Sequence, residues 1–89
     1  MNDFKDHVKC SLLKLGNDEK YRELKILIRQ CFKMDEENMD TSLDLIIHLY
    51  CQVINLINDI LLEDNSNIYL KTICGKIINR KNVLVMRIN

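Results

Sequence analysis

Two histidines and four cysteines carry the most evident chemistry in this chain. His7 and Cys10 stand three residues apart, as do His48 and Cys51, so each pair would share one face of a helical turn. Brought together, His7, Cys10, His48 and Cys51 would offer two nitrogens and two sulfurs, a tetrahedral set suited to zinc. Two distant segments would have to converge for that, and a chain with four cysteines produces such spacings by chance. No metal and no cofactor is therefore assigned. Without any Cys-x-x-Cys pair or secretory signal, Cys10, Cys31, Cys51 and Cys74 read as reduced, small core residues of a cytosolic or nuclear protein.

The carboxylates offer less. Asp35, Glu36, Glu37 and Asp40 crowd into one run from Met34 to Asp40, which reads as a solvated linker between helices. A general acid and a general base need separate environments, and adjacent exposed acids lack them. Neither histidine has a neighbouring nucleophile with an orienting acid, and no glycine-rich phosphate loop occurs. No catalytic residue is assigned, and the chain is not expected to be an enzyme.

Composition bounds the alternatives. The 89 residues include 13 basic and 13 acidic side chains, no proline and two glycines, and 47% are hydrophobic. That is one small domain, too apolar for wholesale disorder and too neutral for a dedicated nucleic-acid binder. No uninterrupted apolar run reaches the roughly 18 residues of a membrane span, so no membrane partner is expected. The charge is nevertheless unevenly laid out. Residues 1–32 are weakly basic, 33–64 hold eight acids and one base, and 65–89 hold five bases and no acid. The basic tail (Lys71, Lys76, Arg80, Lys81, Arg87) either grips a polyanion or balances the acidic middle of its own chain or of a partner subunit. The second reading is preferred, because no aromatic residues interleave with the bases to stack on nucleotides.

The elements that must position these residues are helices, since almost nothing interrupts them. A first helix is predicted from Asp3 to about Leu15, with Phe4, Val8, Leu12 and Leu15 on one stripe and Gly16 ending it in a left-handed conformation. Asn17 or Asp18 would cap a second helix whose apolar face is Tyr21, Leu24, Ile28, Cys31 and Phe32. A third runs from Thr41 or Ser42 to about Leu62. Its broad face holds Leu43, Ile46, Ile47, Tyr50, Val53, Ile54, Ile57, Ile60 and Leu61, and Leu45, Leu49 and Leu56 line the other side. A helix apolar almost all round must be covered almost all round. A second copy of the chain is the economical cover.

A shorter fourth helix would begin at a cap of Ser66 or Asn67 and face Ile68, Tyr69, Thr72, Ile73 and Ile77 inward. Tyr50 and Tyr69 are read as core. Residues 82–89 are rich in β-branched side chains and leave strand, helix extension and frayed tail open.

Phe4-x3-Val8-x3-Leu12-x3-Gly16, then Leu24-Lys25-x2-Ile28-Arg29-x2-Phe32 and an acidic loop, form a pattern. Leu56-Ile57-x2-Ile60-Leu61 follows, then a polar turn and Ile68-Tyr69-x2-Thr72. Together these resemble the amino-terminal domain of the FOP family of centrosomal and basal-body proteins, which includes the Tonneau proteins of plants. The resemblance spans residues 4–77. It implies a helical hairpin before a LisH motif, a helix–turn–helix whose paired copies dimerise. Leu56, Ile57, Ile60 and Leu61 would match the LisH Leu-Ile-x-x-Tyr-Leu core, with Ile60 where the family carries an aromatic residue. The stretch from Gly16 to Arg29 is also similar to the enhancer-of-yellow family, small nuclear adaptors of histone deubiquitination and mRNA export.

The expectation is thus an all-α, intertwined homodimer, with residues 1–80 as the dimerisation domain and 81–89 as a tail. Leu49, Val53, Leu56, Ile57, Ile60, Leu61 and Ile73 would form the interface. The resemblance implies an assembly role at a centrosome or basal body, in microtubule anchoring or ciliogenesis, with other centrosomal proteins as partners. A nuclear adaptor or a lineage-specific interaction protein is the alternative.

Overall fold

The computed structural model describes residues 3–36 and 43–88, which form four α-helices and, among the described residues, no strand. They are α1 (Asp3–Leu13), α2 (Glu19–Glu36), α3 (Leu43–Glu63) and α4 (Ile68–Ile88). The all-α class follows from the sequence as expected. The caps proposed at Thr41 and Ser42, like Glu37 and Asp40, lie outside the described residues.

Local chemistry sets the helix ends. After α1, the amides of Lys14 and Leu15 donate to the carbonyls of Ser11 and Leu12 at 3.1 and 3.2 Å, a tightened final turn. Gly16 then takes φ +87°, the left-handed stop its type predicted. The carbonyl of Asp18 accepts from the amides of Tyr21 and Arg22, which makes Asp18 the residue before the first helical position of α2. Asn67 caps α4, its Oδ1 accepting from the amides of Tyr69 (3.0 Å) and Leu70 (3.1 Å).

Packing runs in a chain of neighbours, with α2 on α3, α3 on α4 and α4 on α1. The predicted face of α2 is buried residue for residue. Along α3 the buried row is Ile46, Tyr50, Val53, Ile57 and Ile60, spaced by three and four. Leu43, Ile47, Ile54 and Leu61 flank it, partly covered.

Two expectations for α4 need correction. Ile68 and Thr72 face solvent, and the buried row is Leu70, Ile73, Ile77 and Leu84. The reason is helical spacing: Leu70 stands three residues before Ile73 and seven before Ile77 on one face, whereas Ile68, five before Ile73, falls about 140° away from it. Nor is 81–88 a separate tail. It continues α4, because Leu84 falls one repeat beyond Ile77 on the same face and its burial holds Val83 and Val85 in helical form.

That longer α4 changes how α3 is covered. Val53, Ile57 and Ile73 are fully buried and Ile60 nearly so within a single protomer, while Leu49, Leu56 and Leu61 remain partly accessible. Four of the seven residues expected between protomers therefore sit inside one. α3 is long and apolar enough to cross a membrane, by length and composition only. Here its inward row belongs to the core.

Candidate interaction surfaces and the buried charge cluster

The most chemically loaded place in the fold is a carboxylate, and the sequence reading put it in solvent. The Asp35 side chain is fully buried, on the last turn of α2, where its phase follows Ile28, Cys31 and Phe32 inward. Arg80 of α4 meets it with two hydrogen bonds, Nε to Oδ2 at 2.8 Å and Nη2 to Oδ1 at 2.7 Å. The hydroxyl of Tyr50, from the centre of α3, donates to Oδ2 at 2.6 Å. Three helices are thus tied at one anion. Among the described residues, no buried side-chain nitrogen or oxygen lacks a partner.

The electrostatics follow from that geometry. Burial alone would raise the Asp35 carboxyl, but the hydrogen bonds from Arg80 and Tyr50 and the charges of Arg80 and Lys5 outweigh it. The group stays below the usual carboxylate range. Burial and the hydrogen bond to Asp35 drive the Tyr50 phenol upward, so it stays protonated and donates. Cys31 is pushed up to about 12 by burial and by the nearby Asp35 charge, which makes it an unreactive thiol. Arg80 is raised by its bond to Asp35. This pairing serves structure, and it takes Arg80 out of the set of tail bases available to a polyanion.

Beside the cluster, Lys5 of α1 reaches Glu36 at 3.2 Å and lies 5.7 Å from the Phe32 ring centre, its stem buried. Phe4 meets Phe32 edge to face at 5.5 Å. At the opposite end, Asn67 Nδ2 donates to Asp64 Oδ2 (3.2 Å) and to the Tyr21 hydroxyl (3.3 Å), joining the α3–α4 turn to α2.

The proposed zinc set is not assembled. His7, Cys10 and His48 are exposed and Cys51 is half-buried, and His48 instead pairs with Gln52 at 3.1 Å on its own helix. Among the described residues no three His, Cys, Asp or Glu side chains converge on a metal position. Of the cysteines, only Cys31 is fully buried. Cys51 and Cys74 are intermediate, and Cys10 lies on the surface, contrary to its reading as core.

Among the described residues, two concave surfaces bear on recognition. A groove of about 680 Å³ lies between α1 and α2, floored by Leu12, Ile28 and Phe32, with Leu13 at one edge and Lys9, Lys25, Arg29 and Lys33 along the rim. A shallower hollow of about 390 Å³ lies between α2 and α3, lined by Glu23, Ile26, Leu27, Gln30, Gln52 and Leu56. Leu45 and Leu49 extend the same face of α3, and Leu45 and Ile26 are each about half exposed. Sequence reasoning missed the groove because its floor residues had been assigned to the core stripes of two separate helices.

No protein-family model matches the sequence, and comparison with curated proteins and with solved structures finds no match.

Proposed function

We propose that the protein is a non-catalytic, helical assembly module that pairs with a second copy of itself along the α2–α3 face. The observation supporting this is the second row of leucines on α3. Leu45, Leu49 and Leu56 recur at helical spacing along the edge of the core, Leu45 about half exposed and Leu49 and Leu56 partly covered, beside Ile26 and Leu27 of α2. An apolar row of this kind on a small domain is a contact surface. A two-fold pairing would lay the row of one protomer against that of its partner, so that each half covers the other. Pairing would then bring two identical copies of every other surface together and raise avidity for a repeated target.

The resemblance to the FOP family directs the cellular reading to centrosomes and basal bodies. A fluorescently tagged chain concentrating there would support that role, and a uniformly nuclear signal would favour an adaptor instead. The interface itself is tested on exposed positions. Ile26→Lys with Leu45→Glu should yield a folded monomer, because both side chains are about half exposed and neither belongs to the core.

A further inference from the structure

We infer that the groove between α1 and α2 is a docking site for an acidic amphipathic helix from another protein. The groove shares no lining residue with the hollow at the proposed α2–α3 pairing surface, and the inference does not depend on that pairing.

The groove exists because α1 packs chiefly on α4, not on its sequence neighbour α2. The two helices touch through Phe4 and Phe32 and through Lys5 and Glu36, and beyond these contacts their facing sides enclose the groove. On α2 the lining residues from Lys25 to Glu36 follow helical spacing and span about 16 Å of axis, the length of three turns. The floor is apolar, and Leu13 stands 81% exposed at one edge. A row of leucines from an incoming helix fits such a floor, which is the groove mode of helix recognition.

Charge selects the kind of helix. Four cations, Lys9, Lys25, Arg29 and Lys33, edge the groove against one lining carboxylate, Glu36, which Lys5 already pairs. Lys25 is directed by its 2.7 Å hydrogen bond to the Gly16 carbonyl, which leaves Lys9, Arg29 and Lys33 as the exposed rim. A partner carrying glutamates beside its leucines would meet opposite charge along the rim, and a basic partner would be repelled.

The test uses a synthetic, fluorescein-labelled helical peptide of about four turns, with leucine at every third or fourth position and flanking glutamates. Fluorescence anisotropy should show saturable binding that weakens with added salt. Arg29→Glu with Lys33→Glu should weaken it about tenfold or more, with circular dichroism confirming an unchanged helical fold. Lys71→Glu, exposed on α4, should leave it unchanged. The same peptide with lysine for glutamate should not bind. Absence of binding, or equal binding by the charge-reversed variant, would overturn the inference. So would charge-dependent binding to phosphatidylserine vesicles without peptide binding, which would assign the groove to membranes. Because peptide binding is read at the groove and pairing at the α2–α3 face, either result stands without the other.

Discussion

At the residue scale the fold turns on Asp35. A buried carboxylate is tolerable only when its partners compensate the lost hydration, and here Arg80 supplies a bidentate pair and Tyr50 a third bond. Removing one partner strands the other. Arg80→Ala should therefore cost about 3–5 kcal/mol, measured by urea denaturation. The double replacement Asp35→Leu with Arg80→Met should cost much less than either single change, because no charge remains unpaired. The same pair makes stability depend on pH. The folded carboxyl is held below its unfolded value, so its contribution is complete above the unfolded pKa of about 3.9 and disappears as pH falls through the folded value. Tyr50→Phe removes one bond that holds the folded carboxyl down, so the loss should be smaller and should be complete at a higher pH in urea titrations of that variant. None of this was legible in the sequence. Asp35 sits among acids that read as linker, and only the phase of α2, carried four residues past Cys31 and three past Phe32, marks it as inward. Arg80 likewise reads as one base among five, although it lies midway between the buried Ile77 and Leu84.

At the element scale the sequence was more informative. The inward face of α2 was readable because polar residues bound it clearly, and the buried row of α3 lay within a broader apolar face. In α4 the inward face was not readable, since apolar side chains occupy several faces; the start of that helix, by contrast, is set by the Asn67 cap. Asn67→Ala should therefore lower stability by about 1 kcal/mol in thermal or urea melts, with loss of the bonds to Tyr69 and Leu70. The two glycines should respond in opposite directions. Gly16 holds a left-handed backbone, so Gly16→Ala should destabilise by about 1 kcal/mol even though space for the methyl is free. Gly75 lies inside α4 with open space around it, so Gly75→Ala should stabilise by about 1 kcal/mol. Calorimetric melting temperatures of the two variants should fall on either side of the parent.

At the scale of the whole molecule, the segmental charge and the over-apolar third helix acquire different explanations. Part of the basic carboxy-terminal third balances the acidic middle internally, through Arg80 and Asp35. The breadth of apolar surface on α3 is divided between a core row, covered by a fourth helix longer than the sequence suggested, and a leucine row left partly exposed at the edge of the core. A periodicity argument counts how much surface a helix must bury. It does not say whether the cover comes from the same chain, because that depends on the length and phase of a distant helix. The proposed self-association therefore rests on Leu45, Leu49 and Leu56 with Ile26 and Leu27, and no longer on Val53, Ile57, Ile60 and Ile73. Sedimentation equilibrium of the purified chain tests it most directly. The account predicts a species of twice the 10.6 kDa chain mass, reduced to the single-chain mass by Ile26→Lys with Leu45→Glu at unchanged helicity. A parent that sediments at 10.6 kDa at every concentration, or a double variant that remains a dimer, would contradict it.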